Sequence, residues 1–349
     1  MLEAQVVLLT LDTYKVILVL IGLWAQRRVR SEQDFFLAGQ QLGPWVAAVS
    51  YSASAASAWT LLGMSGLAYA IGLSALWVAL GAVLGCAISW WLLAPRIMAK
   101  AANGQLLSAT ELIALGTEGR ERKLVVSLTS AIILFCLMIY VASQFQGAGT
   151  TFATSFELGN ASSIALGGTV ILVYTLLGGF WAVSVTDTLQ GLLMLFTALL
   201  LPVAAVAHMG GLNEFRVALE QVSDPHYMRL TGSNLGLTAA GMIAGSLIIG
   251  VSSFGQPHLV SRFMALRDAR ALRQGQMIAT TWYALVFFGM CVVGFAGRLL
   301  LGDLDNNEQV FFAVNAALFP SVLGAVLLAA VLSAIMSTAD SMLLVCGTT

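Results

Sequence analysis

Stretches of about twenty apolar residues recur along the whole chain, and short polar connections separate most of them. An α-helix needs roughly 20 apolar residues to cross the hydrocarbon core of a bilayer. Nine stretches meet this requirement, and the very short joins near residues 71 and 184 predict antiparallel neighbours at those points. The predicted spans are approximately 5–26, 44–70, 73–95, 124–155, 160–183, 186–210, 236–261, 275–300 and 319–346.

The composition excludes a soluble globule. Hydrophobic residues make up 59% of the 349 positions and charged residues only 9%, whereas a soluble domain has about 25% charged residues. Lipid must therefore replace water around most of the chain. The sequence predicts an all-α polytopic membrane protein with about nine transmembrane helices in a lipid bilayer.

Other classes of function find little support in the residues. A formal net charge of −1 without a basic tract argues against a nucleic-acid partner. No combination of nucleophile, base and acid indicates an enzyme. The cysteines lack the spacing of a metal site, so we interpret them as small buried residues. They are Cys86, Cys136, Cys291 and Cys346.

The basic residues are distributed unevenly between the two sets of loops. If the first span enters the cytoplasm, 12 of the 16 Lys and Arg residues lie on the cytoplasmic side, where positive charge is favoured. Only Arg216, Arg229 and Arg298 lie on the other side, and Lys15 lies within the first span. The sequence therefore predicts an N-terminus outside the membrane. The cytoplasmic set is Arg27, Arg28, Arg30, Arg96, Lys100, Arg120, Arg122, Lys123, Arg262, Arg267, Arg270 and Arg273.

Two predicted spans contain residues that weaken a helix. Residues 50–58 are mostly small or hydroxyl-bearing, and residues 250–258 include Pro257, which removes one backbone hydrogen bond. Unpaired backbone groups are tolerated in a membrane only where protein or a water-filled cavity satisfies them. Interrupted helices of this kind are typical of the binding site of inverted-repeat transporters. The alternative is close helix packing through small residues, which we also expect for Gly81 and Gly85.

Two carboxylates lie inside predicted spans, Asp187 at the start of the sixth and Asp340 within the ninth. A charge there costs about 2.5–3.5 kcal/mol on insertion scales, so it generally faces a cavity, a partner or an ion. Ser337, Asp340 and Ser341 share one helix face, and their oxygens suit a hard cation such as Na⁺. The alternatives are a helix N-terminal cap for Asp187 and a hydrogen bond to a neighbouring helix for Asp340.

Several longer motifs run through the chain. They are Phe35-Phe36-Leu37-Ala38-Gly39 with Leu42-Gly43-Pro44, Tyr174-Thr175-Leu176-Leu177-Gly178-Gly179-Phe180-Trp181-Ala182-Val183, Thr186-Asp187-Thr188 with Gln190, Phe254-Gly255-Gln256-Pro257-His258 with Arg262-Phe263-Met264-Ala265, and Met336-Ser337-Thr338. Together they resemble the sodium:solute symporter family, and most closely its sodium/proline symporter branch, over nearly the whole chain.

The resemblance implies a LeuT-like inverted-repeat transporter fold. An extra N-terminal helix at 5–26 would precede a five-helix repeat at 44–210. Residues 236–346 would supply the first three helices of the second repeat, which is therefore expected to be truncated, with its C-terminal part missing.

The resemblance also implies Na⁺ as the coupling ion and assigns site residues. The main sodium site would consist of the carbonyls of Ala53, Ala56 and Ala334 and the hydroxyls of Ser337 and Thr338. A second sodium, held by some relatives, would match Asp187, Ser337, Asp340 and Ser341. The substrate pocket would be lined by Ser57, Tyr140, Ile249, Ser253 and Pro257.

The chain departs from the proline branch at four of these or nearby positions. Ala55 stands where the branch has an aspartate, Gln40 where it has an arginine, and Ile249 and Ser253 where it has aromatic residues. Loss of the aspartate predicts weaker sodium binding unless Asp340 restores a negative charge near the pathway. Loss of the aromatic residues predicts a roomier pocket with less stacking.

The predicted function is sodium-coupled symport of a small solute, with L-proline as the first choice, across the bacterial inner membrane. One alternative is a symporter for another amino acid, a carboxylate or a quaternary amine. Another is a transporter-like membrane input domain of a sensor kinase. Sequence beyond Thr349 would discriminate, because further spans favour transport and a long soluble extension favours sensing.

Overall fold

The computed structural model describes residues 2–104, 106–156 and 160–349, and the elements in this part of the chain are helices. We number fifteen α-helices in chain order. They are α1 (Leu2–Gln26), α2 (Glu32–Leu37), α3 (Pro44–Ala55), α4 (Ala58–Ile71), α5 (Leu76–Ile88), α6 (Ala94–Gly104), α7 (Ala109–Ile113), α8 (Gly119–Phe156), α9 (Asn160–His208), α10 (Leu212–Glu220), α11 (Gly236–Ile248), α12 (Pro257–Met264), α13 (Ala269–Leu300), α14 (Val310–Leu318) and α15 (Ser321–Thr348).

Six helical segments in the described ranges are long and apolar enough to cross a membrane. One of them runs from α4 to α6, and another covers the end of one predicted span and nearly all of the next, so several of the nine predicted spans coincide with fewer, longer runs. The segments are Ala58–Gly104, Gly119–Gln146, Thr175–His208, Gly236–Ser253, Ala269–Leu300 and Ser321–Thr348.

The predicted join near residue 71 is confirmed, and the one near residue 184 lies five residues earlier, at Gly179. Gly72, which follows α4, has φ 62° and opens a 3₁₀ turn. In α9 the helical geometry is interrupted at Gly179, with φ 52°. A Cβ there would lie 2.5 Å from the carbonyl oxygen of Phe35. Glycine is favoured at this position because it tolerates the left-handed region and has no Cβ to contact the Phe35 carbonyl.

Both predicted helix breaks are present. Between α3 and α4, Ala56 and Ser57 have extended backbone dihedral angles. The seventh predicted span changes to a 3₁₀ segment at Ile249–Ser253 and resumes as α12, with Pro257 at its first position. Proline is accommodated there because the first turn of a helix has no intrahelical partner for its N–H.

Helix α15 lies at the centre of the fold and α8 at its edge. In the most apolar 18 residues of each span, 78% are buried in α15 and 17% in α8. The exposed side chains of α8 include Leu124, Ile132 and Phe135. Large apolar side chains on an outer helix are compatible with contact to lipid and not with contact to water.

Helix α1 packs against α9 and α15, and its contact with α15 includes a polar one. The Tyr14 hydroxyl lies 2.7 Å from the Ser333 hydroxyl, and both side chains are buried. Ser333 immediately precedes Ala334, one of the predicted sodium ligands. The division into an extra helix, a first repeat and part of a second remains a prediction.

Close packing explains the glycines of α5. A Cβ on Gly85 would lie 2.3 Å from the carbonyl oxygen of Gly250, and one on Gly81 would lie 2.4 Å from that of Ser246. The packing interpretation of Gly81 and Gly85 is therefore confirmed. It brings α5 against the 3₁₀ segment of the second broken helix.

Candidate functional site

The break after α3 lies against the middle of α15. The Ser337 hydroxyl is 3.0 Å from the Ala53 carbonyl, and the Thr338 hydroxyl is 3.1 Å from the Ser54 carbonyl. These partners lie on segments that are far apart in the chain. They meet because the end of α3 and the middle of α15 are both buried in the core.

The five residues predicted for the main sodium site lie at this meeting point. Ser337 is also 3.4 Å from the Ala334 carbonyl, and the Thr338 hydroxyl is 3.0 Å from the same oxygen. Ala56 lies in the break itself, where its extended backbone leaves the helical direction. All five are buried: Ala53, Ala56, Ala334, Ser337 and Thr338.

The oxygens of this cluster fit Na⁺. They are carbonyl and hydroxyl oxygens, the donor type that hard cations prefer. In the structure the two hydroxyls donate to the carbonyls that surround them. A cation bound among these oxygens would replace the two hydroxyl–carbonyl hydrogen bonds with ion–oxygen contacts.

A second polar cluster, the Asp187 cluster, consists of Asp187, Arg262, Ser50, Ser54 and Ser341. Asp187 Oδ2 is 2.7 Å from Arg262 Nη2, and both side chains are fully buried. The Ser54 and Ser50 hydroxyls lie 2.8 and 3.0 Å from the same carboxylate oxygen. Ser341 Oγ is 3.3 Å from it.

The helix-cap interpretation of Asp187 is wrong. The residue lies well inside the helical part of α9 that follows Gly179, so no helix begins there. Its carboxylate is stabilised by a buried cation and by hydroxyl groups from α3 and α15. The Asp187 carboxylate is therefore the centre of a buried hydrogen-bonded cluster and not a helix cap.

Placing Arg262 in a cytoplasmic loop is also wrong. Arg262 lies in α12 and its side chain is fully buried. The remaining eleven residues of the cytoplasmic set still outnumber the three on the other side, so the orientation remains a prediction. The signal missed was the position of Arg262 in the apolar stretch of α12, next to Phe263 and Met264.

Asp340 belongs to the same network through Ser341. The Ser341 hydroxyl is 3.2 Å from Asp340 Oδ1, and Asp340 is fully buried. Ser341 Oγ also lies 2.9 Å from Ser54 Oγ. The structure therefore gathers Asp187, Asp340 and Ser341 from the residues predicted for a second sodium, and it adds the Arg262 guanidinium, which the prediction did not include. Ser337 contacts the Ala53 carbonyl instead.

A cavity of about 230 Å³ lies between the two helix breaks. Four of the five predicted substrate residues line it, namely Ser57, Tyr140, Ile249 and Ser253. The fifth, Pro257, lies instead on a separate apolar cavity with Phe254 and Val260. Pro257 starts α12, and the structure turns it towards residues of α7 and α8.

The cavity is aromatic despite the two departures from the family pattern. Tyr283 and Phe287 from α13 line it, with their rings stacked at 5.4 Å between centroids. Trp59 and Tyr140 add two more rings. Ile249 and Ser253 provide no aromatic ring, as expected, but α13 provides two on another side of the cavity. No residue among those lining the cavity in the described part of the chain carries a charge.

The sodium:solute symporter family model matches residues 35–349. The chain belongs to the sodium:solute symporter family. The resemblance inferred from the motifs is therefore confirmed. Na⁺ is the coupling ion of this symporter, a multi-pass membrane protein that takes a small molecule as its substrate.

Curated relatives of the symporter cover nearly all of it. It is 34% identical to the sodium/proline symporter of Salmonella typhimurium and 33% identical to that of Escherichia coli, over 97% of this chain and 68% of each relative. It is 30% identical to sodium/proline symporter 2 of Staphylococcus saprophyticus, over 95% of this chain and 65% of that one.

The symporter also has a similar solved structure. A Na⁺-coupled sialic acid symporter in a substrate-bound, outward-open state superposes with a TM-score of 0.82 at 19% identity. The superposition covers 97% of this chain and 72% of the other. The predicted LeuT-like fold is confirmed.

Proposed function

We propose that this symporter carries L-proline, or a zwitterion of similar size, together with Na⁺ across the bacterial inner membrane. Several relatives at 30–34% identity are sodium/proline symporters. The observation that carries the proposal is the contact of the Ser337 and Thr338 hydroxyls with the carbonyls at the end of α3. The N-terminus is proposed to lie outside.

The main sodium site is proposed at the oxygens of Ala53, Ala56, Ala334, Ser337 and Thr338. A sodium ion there would tie the broken helix α3/α4 to α15. Ser57 lies next to this break and lines the cavity, so ion binding and the shape of the substrate cavity would be coupled. A ligand that binds one conformation better than another shifts the population towards it.

The cavity favours a small zwitterion. Its lining includes hydroxyl and aromatic side chains and the first residues of α4. A substrate carboxylate could lie at the N-terminus of α4, where the helix dipole and free N–H groups favour negative charge. The substrate ammonium could face the carbonyls of the 3₁₀ segment Ile249–Ser253. A compact amino acid such as proline carries both groups without net charge.

Transport would follow alternating access and would involve no covalent chemistry. With Na⁺ and solute bound, the helices carrying the breaks would move together against the others. Inward movement of one positive charge gains about 2.3 kcal/mol for each 100 mV of potential, inside negative. The membrane potential and the inward Na⁺ gradient together would therefore drive accumulation of the solute.

A quaternary amine is the second candidate substrate. Trp59, Tyr140, Tyr283 and Phe287 line the cavity, and aromatic faces attract such cations. A quaternary amine that also carries a carboxylate would occupy the same two places as proline, with the carboxylate at the N-terminus of α4 and the cation near the 3₁₀ segment Ile249–Ser253. Competition between the two solutes separates the proposals.

The test uses the full-length protein in proteoliposomes. An imposed inward Na⁺ gradient should drive uptake of labelled proline, and replacement of Na⁺ by K⁺ should abolish it. Excess unlabelled proline should compete more strongly than glycine betaine, a carboxylate or other amino acids. Stronger competition by the betaine would support the second candidate, and Na⁺-independent uptake would contradict the mechanism.

A further inference from the structure

The side of the substrate cavity formed by α5 becomes polar at the C-terminal end of that helix. Val78 and Ala82 of α5 line the cavity. Cys86 and Ser89 follow at intervals of four and three residues, so they continue the same helix face. Ser89 is fully buried. A buried hydroxyl at the end of an apolar face needs a hydrogen-bond partner.

The chain around Ser89 departs from ordinary α-helical geometry. Residues Ser89–Leu93 form a π-helical turn, in which the N–H of Ala94 donates to the Ser89 carbonyl, five residues earlier. Gln276 Nε2 of α13 donates to the Trp90 carbonyl at 3.1 Å, within this turn. Such turns are rare and frequently occur at functional sites. The turn therefore directs attention to the side chain of Ser89.

The partner of Ser89 is Ser253, which lines the substrate cavity. The two hydroxyl oxygens are 3.3 Å apart. Ser253 donates its own proton to the Gly250 carbonyl at 2.8 Å, so we assign Ser89 as the donor and Ser253 as the acceptor. A hydroxyl oxygen has two lone pairs, and Ser89 uses one of them. The second is available to a donor in the cavity.

A third hydroxyl, that of Tyr51, lies beside this pair. Tyr51 belongs to α3, and its ring packs against those of Trp90 and Phe263, with centroids 5.4 and 5.1 Å away. Its hydroxyl is buried and faces those of Ser89 and Ser253 without forming a hydrogen bond of good geometry to either. The polar end of the cavity therefore has hydrogen-bonding capacity that these contacts do not use.

The lining of the cavity limits what a donor to Ser253 can be. Among the described residues that line it, none carries a charge. A further charged group on a zwitterionic substrate would be buried there without a partner, which is strongly unfavourable. A neutral hydroxyl group can donate to Ser253 and brings no charge into the cavity. The substrate ammonium is the other possible donor.

We propose that Ser253 determines specificity by accepting a hydrogen bond from a hydroxyl group on the ring of the substrate, so that the symporter takes hydroxylated proline as well as proline. Ser89 is a positioning residue, which holds the Ser253 oxygen towards the cavity. The inference rests on the proposed function, in which a compact zwitterion occupies this cavity. A hydroxyl that leaves water loses its hydrogen bonds, and Ser253 replaces one of them.

The experiment compares two solutes in the same protein. Uptake of labelled L-proline and of 4-hydroxy-L-proline, in its trans and its cis form, is measured in proteoliposomes with the full-length chain. In the wild type, at least one hydroxylated form should have a KM comparable to that of proline. In Ser253→Ala this KM should rise about 10- to 100-fold, because the hydroxyl is left without an acceptor. The KM for proline should change little, and proline uptake also shows that the variant folds.

Matched variants separate the hydrogen bond from other effects. Ser89→Ala should raise the KM for hydroxyproline less than Ser253→Ala does, because the acceptor remains and only its orientation is lost. Ser252→Ala is the control: Ser252 also lines the cavity, but its hydroxyl bonds to the Ile249 carbonyl at 2.7 Å. It should leave the ratio of the two KM values unchanged.

A third solute tests for size. Pipecolate has a ring larger by one methylene and no hydroxyl group. Its KM should not respond to Ser253→Ala, whereas a response equal to that of hydroxyproline would show that the variant changes the space in the cavity, and would overturn the inference.

The remaining outcomes distinguish the inference from the proposed function. Equal rises of the KM for proline and hydroxyproline in Ser253→Ala would overturn the inference, because Ser253 would then bind a group common to both, such as the ammonium. Uptake of proline but of neither hydroxylated form by the wild type would overturn it and leave the proposed function intact. Uptake of none of these solutes would refute both.

Discussion

Ser337 and Ala53 are separated by 284 positions in the chain, yet the hydroxyl of one lies 3.0 Å from the carbonyl of the other. Ala53 is close to the end of α3, and Ser337 lies in α15, the most buried of the six apolar spans. Both groups are fully buried. A cation that replaces this hydrogen bond would hold the two helices together, so the contact is the first target for mutation.

Ser337→Ala and Thr338→Ala should each weaken sodium activation of uptake roughly 10- to 100-fold, because a lost bond to a charged group costs about 1.5–3 kcal/mol. The measurement is the Na⁺ concentration for half-maximal uptake at saturating solute. Ser65→Ala is the matched control, since Ser65 is a buried serine whose hydroxyl bonds within its own helix. Unchanged sodium activation in both variants would remove the assignment.

Ile249→Trp should impair solute binding with little change in sodium binding. Ile249 lines the cavity between the breaks, and the larger ring would fill it; overpacking typically costs about 1–3 kcal/mol. We expect the KM for the solute to rise about tenfold. The control is Ile248→Trp, whose side chain is 66% exposed. An equal rise in both variants would argue against this cavity as the substrate site.

Gly179→Ala should destabilise the protein. Alanine at φ 52° is strained, by about 1–3 kcal/mol, and its Cβ would lie 2.5 Å from the Phe35 carbonyl oxygen. The melting temperature of the purified protein should fall. Gly241→Ala is the control, because it lies in α11 with open space around its Cβ. A melting temperature equal to that of the wild type would contradict the break at Gly179.

Cysteine labelling should reveal the orientation. Asp305→Cys lies between α13 and α14, and Glu118→Cys lies between α7 and α8. An N-terminus outside the membrane predicts the first position outside and the second inside. In intact cells, a membrane-impermeant maleimide should label the first and not the second. The four native cysteines are replaced first, since Cys136 is exposed. The opposite pattern would reverse the proposed topology.

Several parts of the site could be predicted from the sequence because they depend on local chemistry. Small residues at 50–58 and Pro257 weaken a helix wherever they occur, and the breaks are found at both places. The family resemblance, not local chemistry, assigned the Ser337 and Thr338 hydroxyls to the site, and both contact the carbonyls at the end of α3. Four of the five substrate residues that the resemblance implied line the cavity between the breaks.

Other parts could not be predicted because they depend on contacts between distant segments. Arg262 belongs to a basic stretch that suggests a loop, and only its pairing with Asp187, 75 positions away, shows it to be buried. The join placed near residue 184 lies at Gly179, where Phe35 approaches the backbone. Tyr283 and Phe287 look like ordinary span residues until α13 packs against the cavity.

The sequence by itself determined that this chain is a helical membrane protein, where its helices weaken and to which family it belongs. These properties follow from hydropathy, backbone preferences and motifs, which are local along the chain. The tertiary structure alone decided which buried charge meets which. Asp187 needs a partner in a medium that does not solvate it, and only the packing of α3, α9, α12 and α15 around it identifies that partner as Arg262.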